Sequence, residues 1–333
     1  MIYRLVRPLL FSLDAERAHD LAISFARFCN SRPRLVRMLR WWGGVVNRPK
    51  QVAGLTFPNV VGLAGGMDKN GVAPMTWWGF GFGFVELGTV TPRPQPGNEK
   101  PRMFREPKNR AIINRMGFNN DGAWVVRDRL ATQEQQGLRP AIPIGVSVGK
   151  NKDTPVEEAA RDYRLAAEAV ASVADFLSIN VSSPNTAGLR SLQTAATVGK
   201  LVAEVRAVAA GKPVFVKLAP ELDGDDLGSV LEGCVTAGAA GVIATNTLAV
   251  GQNDGRPTGG LSGRPLREIA RSKVAAVRKI VGDRLAVVGC GGIDDVESAK
   301  AMLDAGADLI QLYTGLVYEG PFLPARISRR LHS

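Results

Sequence analysis

Residues 180–190 read NVSSPNTAGLR and follow the apolar run DFLSI (175–179). Two serines and two asparagines thus fall within six positions at the end of a segment that looks like a buried strand. Hydroxyls and carboxamides are poor core material. A turn accounts for one or two of them; the rest bring donors and acceptors to a common place. A hydroxyl does proton chemistry only when a neighbour activates it. An imidazole is not the expected activator. The chain has two histidines, His19 and His332, one near each end, which argues against a Ser–His–Asp triad and against a His-rich metal site. Three cysteines (Cys29, Cys234, Cys290) without a CxxC argue against zinc ribbons, cysteine-ligated clusters and disulfide scaffolds. No metal is expected.

Four asparagines, Asn114, Asn180, Asn185 and Asn246, lie in three separate segments. Each carboxamide both donates and accepts, which suits a ring edge alternating N–H and C=O, as in a cyclic ureide. Taken singly, each is an ordinary turn former. Two lysines, Lys69 and Lys217, stand at strand ends, where a buried ammonium must find an anion or lose its proton. No acid sits beside Lys217 in FVKLAP, so a bound anion or an electron-rich cofactor edge is its expected partner; a snorkelling surface lysine is the plainer alternative.

Eight apolar stretches can position these groups: 60–65, 83–90, 142–148, 175–181, 213–219, 241–246, 285–291 and 308–314. Helical patterns separate them. Thr154-Pro155-Val156-Glu157 reads as a capping box, and Asp294 opens a helix that closes on Gly306. Eight strands alternating with helices predict an α/β fold, a (β/α)8 TIM barrel, rather than an open doubly wound sheet, since no GxGxxG follows the first strand. Function in such barrels lies at the C-terminal strand ends, where the lysines, serines and asparagines fall. GCGGI (289–293) and YTG (313–315) end the last two strands, the usual phosphate position of the fold.

The chain has 333 residues, 45% hydrophobic and 22% charged, with a net charge of +11. Residues 1–50 hold ten Lys/Arg against three acids, a net +7. No uncharged apolar run approaches the roughly 20 residues of a membrane span, and PLLFSL near the start is too short for a signal peptide. Arginine-rich helices also suit nucleic acid, but no aromatic-interleaved basic motif accompanies them.

The runs GLAGGMDKNG (62–71), ELGTVTPRPQPGNEKPRMFR (86–105), INRMGFNN (113–120), INVSSPNTAGLR (179–190), VKLAP (216–220), ATNT (244–247), TGGLSGRPL (258–266) and QLYTG (311–315) resemble, in order, the dihydroorotate dehydrogenases, and among them the quinone-dependent, membrane-associated class 2. The resemblance implies FMN-dependent oxidation of dihydroorotate to orotate in pyrimidine biosynthesis, with electrons passed to a membrane quinone. Ser183 then removes the C5 proton; soluble class 1 enzymes carry cysteine there. Lys69, Asn114, Arg115, Met116, Gly117, Phe118, Asn180, Asn185, Asn246 and Thr247 are the implied substrate residues. Ala64, Gly65, Thr89, Ser147, Asn180, Lys217, Thr245, Gly263, Gly292, Tyr313 and Thr314 are those of FMN. Ser147 replaces an asparagine common in relatives, and Cys290 replaces an aliphatic residue in GCGGI. The remaining step is how a serine becomes a base; Thr186, Thr247 or an ordered water are the expected helpers.

The same resemblance divides the chain into a small helical segment, 1–45, that class 1 lacks, and an FMN-binding barrel, 46–333. Leu5, Leu9, Leu10, Leu21, Ala22, Phe25 and Phe28 give the first segment apolar faces, with Trp41 and Trp42 suited to a lipid interface. Its arginines favour anionic headgroups. The implied location is peripheral, on the cytoplasmic side of the cell membrane, with His19, Arg105 and Tyr313 lining the quinone path. Rival readings are an FMN barrel with fumarate or NAD as acceptor, and a flavin-free phosphosugar aldolase or isomerase.

Overall fold

Eight strands pair in parallel and close on themselves: β1 (Val61–Leu63), β2 (Phe84–Val90), β3 (Ile144–Val148), β4 (Phe176–Asn180), β5 (Val214–Leu218), β6 (Gly241–Ala244), β7 (Ala286–Cys290) and β8 (Leu309–Leu312). The computed structural model describes residues 2–331 apart from 187 and 252–254; His332 and part of the 248–258 loop therefore lie outside the described residues. All eight expected strands are present, each shorter than its apolar run. The polar ends of those runs leave the ladder and turn into loops.

Strand alternation organises the barrel interior. Phe84, Phe176, Phe215, Ile243, Val288 and Leu309 pack as one apolar layer near the N-terminal end. Two residues further along the same strands stand Glu86, Ser178, Lys217, Thr245, Cys290 and Gln311. A period of two puts both sets inside, so an apolar floor carries a polar layer. Gly62 and Gly145 make room for the floor: a Cβ on either would lie 2.1 Å from the Phe84 or Phe176 ring. A hairpin of Lys50–Val52 and Leu55–Phe57 closes the N-terminal end, with Phe57 edge-on to Phe84 at 5.1 Å.

A four-stranded antiparallel sheet, in the order Leu248–Val250, Gly259–Gly263, Ala111–Asn114, Met103–Glu106, lies outside the barrel ladder. None of these segments is among the eight expected strands. Only long-range partners make strands of them, as in Leu261 and Phe104, both opposite Ile113.

Three helices precede the barrel: α1 (Ile2–Ser12), α2 (Ala15–Asn30) and α3 (Pro33–Gly43). Asp14 caps α2 through the Glu16 and Arg17 amides, the usual use of Asp at that position. Tyr3 Oη donates to the Val317 carbonyl at 2.6 Å and Arg7 to that of Tyr318 at 3.0 Å, docking α1 on the short helix Thr314–Glu319 that follows β8. Their outer faces stay apolar and open, with Leu5, Leu9, Phe25 and Trp41 more than half exposed and Trp41 reaching 82%. No helix among the described residues is long and apolar enough to cross a membrane.

Two helix starts differ from expectation. Thr154 does not cap: its hydroxyl donates to Asp162 Oδ2 at 2.7 Å, and the segment after Pro155 begins as a 3-10 turn over Val156–Glu158. Asp162, one turn into the next helix, competes for that hydroxyl and wins it with a charge-assisted bond. The helix Val296–Asp304 is capped by Asp295, not Asp294, in a reciprocal box with Ser298. Asp294 is engaged by arginines instead.

Candidate active site

The polar layer converges on Glu86, whose side chain is fully buried. Oε1 accepts the Ser178 hydroxyl at 2.5 Å; Oε2 accepts the Gln311 amide at 2.9 Å, the Gly65 N–H at 3.1 Å and the Lys217 ammonium at 3.4 Å. Burial opposes ionisation of Glu86, but Lys217 and the other donors hold its carboxyl below the usual range. Burial likewise opposes the charge on Lys217, yet Glu86 holds it above the usual lysine value. Lys217 therefore has its acid after all. It comes from across the barrel, 131 residues away, where neighbouring sequence could not reveal it. Cys290 stands beside this pair, and burial pushes its thiol up although Lys217 pulls the other way.

Above that layer lies one cleft of about 1160 Å³, counting its open mouth. Asn180, at the tip of β4, is held from behind by Tyr163 Oη on its carbonyl at 2.7 Å, and its amide donates to Thr89 Oγ1 at 2.8 Å. Asn246 reaches Asn180 Oδ1 at 3.3 Å and Ser182 Oγ at 3.0 Å. Asn185 reaches Asn114 Oδ1 at 3.3 Å. All four asparagines line the cleft with Ser183, Thr245 and Thr247. Ser183 Oγ accepts the Asn185 N–H at 3.2 Å, which leaves its own proton free to be donated elsewhere. Arg190 bonds the carbonyls of Ser182 at 3.2 Å and Thr247 at 3.0 Å, tying the serine loop to the loop after β6.

Lys69 enters from the loop after β1 and donates to the Gly66 carbonyl at 2.8 Å. Burial, helped by Arg102, lowers it to about 8 despite Glu16, Asp20 and Asp68. Met116, Gly117 and Phe118 form the opposite wall, with positive φ at Gly117 (73°) and Phe118 (55°). At the far end Gly263, Gly291, Gly292, Thr314 and Gly315 line the cleft beside Tyr313. Arg110 and Arg264 flank it; Asp294 pairs with both, at 2.9 and 2.8 Å, and with Arg267.

A protein-family model described as "Dihydroorotate dehydrogenase" matches residues 49–333. The chain belongs to the dihydroorotate dehydrogenase family. A relative in Vibrio parahaemolyticus, named dihydroorotate dehydrogenase (quinone), is 44% identical over 99% of this chain and 100% of its own length. One of that name in Salinispora arenicola is 48% identical over 96% of each. The solved dihydroorotate dehydrogenase of Eimeria tenella in complex with ferulenol superposes with a TM-score of 0.84 at 34% identity, covering 95% of this chain and 90% of that one.

Members of the family use FMN, and the cleft suits it. Gln311 and Lys217 both line its floor, and Gln311 Oε1 is buried without a partner, so the floor holds an unsatisfied acceptor as well as a cation. The two glycine turns and the flanking arginines suit a phosphate at the far end. Ala64, Gly65, Thr89, Lys217, Thr245, Gly263, Gly292, Tyr313 and Thr314 all line the same cleft.

Four expected residues stand off it. Ser147 lies behind Thr89, hydroxyl to hydroxyl at 2.9 Å. Arg115 turns outward, donating to the Pro101 carbonyl at 2.9 Å and packing over Phe104. Arg105 holds the Leu10 and Leu13 carbonyls of the α1–α2 corner. His19 sits on α2, its imidazole pushed down to about 3 by burial and by the charge of Lys69. Sequence reasoning missed Glu86, Ser178 and Gln311. Their signal was a polar residue in the middle of an otherwise apolar strand, as in FVELGTV and LIQL.

Proposed function

We propose that this protein oxidises dihydroorotate to orotate on bound FMN and passes the electrons to a membrane quinone, serving pyrimidine biosynthesis. The observation that carries the reading is the meeting of four carboxamides and the Ser183 hydroxyl in one cleft that Lys217 and Gln311 also line. FMN, when bound, supplies the acceptor for the hydride that leaves C6 of the substrate. The chain's own groups do the rest. Asn114, Asn180, Asn185, Asn246 and Thr247 grip the ureide edge and stabilise the negative charge that develops as the C5 proton leaves. Lys69 faces the substrate carboxylate. Met116, Gly117 and Phe118 shape the wall and shield the reacting carbons from water, while Arg115 braces that turn from outside. Ser183 takes the proton, relayed onward through Thr186, Thr247 or an ordered water.

Ala64, Gly65, Thr89, Asn180, Lys217 and Thr245 would hold the flavin, with Ser147 backing Thr89, and Gly263, Gly292, Tyr313 and Thr314 would hold its ribityl and phosphate. Residues 1–45 act as the membrane-facing segment and 46–333 as the FMN barrel. The quinone approaches past His19, Arg105 and Tyr313. Exposed Leu9, Phe25 and Trp41 among arginines support a peripheral contact with the cytoplasmic face of the cell membrane. The test is the visible spectrum of the purified protein: flavin absorbance that dihydroorotate bleaches and a ubiquinone analogue restores. Absence of flavin removes the reading, and restoration by fumarate or NAD alone moves the chain to another class.

A further inference from the structure

We infer that Glu86 is a positioning residue that sets the electrostatic field of the cofactor floor through Lys217. The inference rests on the FMN reading and extends it to a residue that does not line the cleft. Glu86 lies one layer below, fully buried, in the middle of β2. Three of its contacts, Gly65, Lys217 and Gln311, line the cleft themselves. A Cβ on Gly65 would stand 3.0 Å from the Glu86 carboxyl carbon, so only glycine lets this carboxylate reach the backbone N–H. By taking the Gln311 amide, Glu86 also turns the unpartnered Oε1 of that side chain to its other side.

The consequence is electrostatic. Lys217 without a counter-ion would present a full positive charge to the cleft; with Glu86 at 3.4 Å it presents a dipole. Reduced flavin carries more negative charge than oxidised flavin, so a bare ammonium favours reduction and a paired one does so less. Glu86 thereby keeps the bound cofactor reducing enough to hand its electrons on.

The experiment has two arms. In the first, the flavin of Glu86→Gln is equilibrated with a redox dye at neutral pH. At matched dye potential its reduced-to-oxidised ratio should rise about tenfold, ~30 mV for a two-electron couple. An unchanged ratio with FMN bound overturns the inference. In the second arm, Lys217→Met leaves a buried carboxylate uncompensated and should weaken FMN binding, read from quenching of flavin fluorescence. Adding Glu86→Gln to it restores neutrality and should recover FMN affinity at least fivefold; a double variant no better than Lys217→Met overturns the inference even if Glu86→Gln alone holds no flavin. Wild-type protein without flavin would instead remove the functional reading.

Discussion

Replacing Glu16 by Gln cuts a buried ion pair that pins α2 to the barrel. Arg102 sets Nε and Nη2 on the Glu16 carboxylate at 3.1 and 2.8 Å, and Nη1 on the carbonyls of Pro96 at 2.6 Å and Asn98 at 3.0 Å. Both side chains are 8% exposed. Removing one partner of such a pair costs about 3–5 kcal/mol. Glutamine keeps one oxygen for the guanidinium, which places Glu16→Gln at or just below the bottom of that range, about 2–3 kcal/mol. Lys100 reaches Glu16 at 3.2 Å but is 65% exposed; it contributes no more than about 1 kcal/mol. Arg102→Met should cost more, about 4–6 kcal/mol, because it also strands two carbonyls.

Those carbonyls belong to the segment whose Asn98 amide bonds the Arg115 and Asn185 carbonyls at 3.0 and 3.1 Å, so the Michaelis constant for dihydroorotate should rise as well. Urea unfolding of FMN-saturated protein, followed by circular dichroism, gives the ordering. A Glu16→Gln loss below about 0.5 kcal/mol, within the range of ordinary surface changes, or an Arg102→Met no worse than it, refutes the reasoning. The pH dependence adds a sign. Burial raises the Glu16 pKa, but Arg102 and Lys100 hold it below its ordinary 4.5, so its stabilisation is complete above that value. It is lost as pH falls through the folded value, and the gap between wild type and Glu16→Gln narrows with it.

Ser183→Ala should retain FMN while flavin reduction by dihydroorotate, followed by stopped-flow bleaching, falls at least about 100-fold, the scale of a lost general base. Lys69 titrates near 8 and is charged below it, so kcat/KM for dihydroorotate should fall as pH rises through that value. Lys69→Gln should lose that limb and about 10–100-fold in kcat/KM, the size of a charged hydrogen bond. Leu9→Ser with Phe25→Ser should weaken co-sedimentation with anionic phospholipid vesicles about tenfold per side chain, leaving flavin reduction in solution unchanged.

What the chain announces by itself is everything that repeats or sits close in sequence. Apolar runs of strand length alternating with helical patterns make a (β/α)8 barrel legible, because the period of two and the period of 3.6 are local properties. The polar tips at 180–185 and 244–247 were legible for the same reason: a strand that ends in hydroxyls and carboxamides has a mouth to line. Helix starts were less secure, since Thr154 and Asp294 had rival partners that only packing brings near.

Tertiary structure alone decided who faces whom. Glu86 finds Lys217 across 131 residues, Arg102 finds Glu16 across 86, and the antiparallel sheet joins segments around residues 104, 113, 249 and 261. None of these pairings leaves a periodic trace. A buried charge is tolerable only beside its opposite, and closure of the barrel is what puts that opposite within reach.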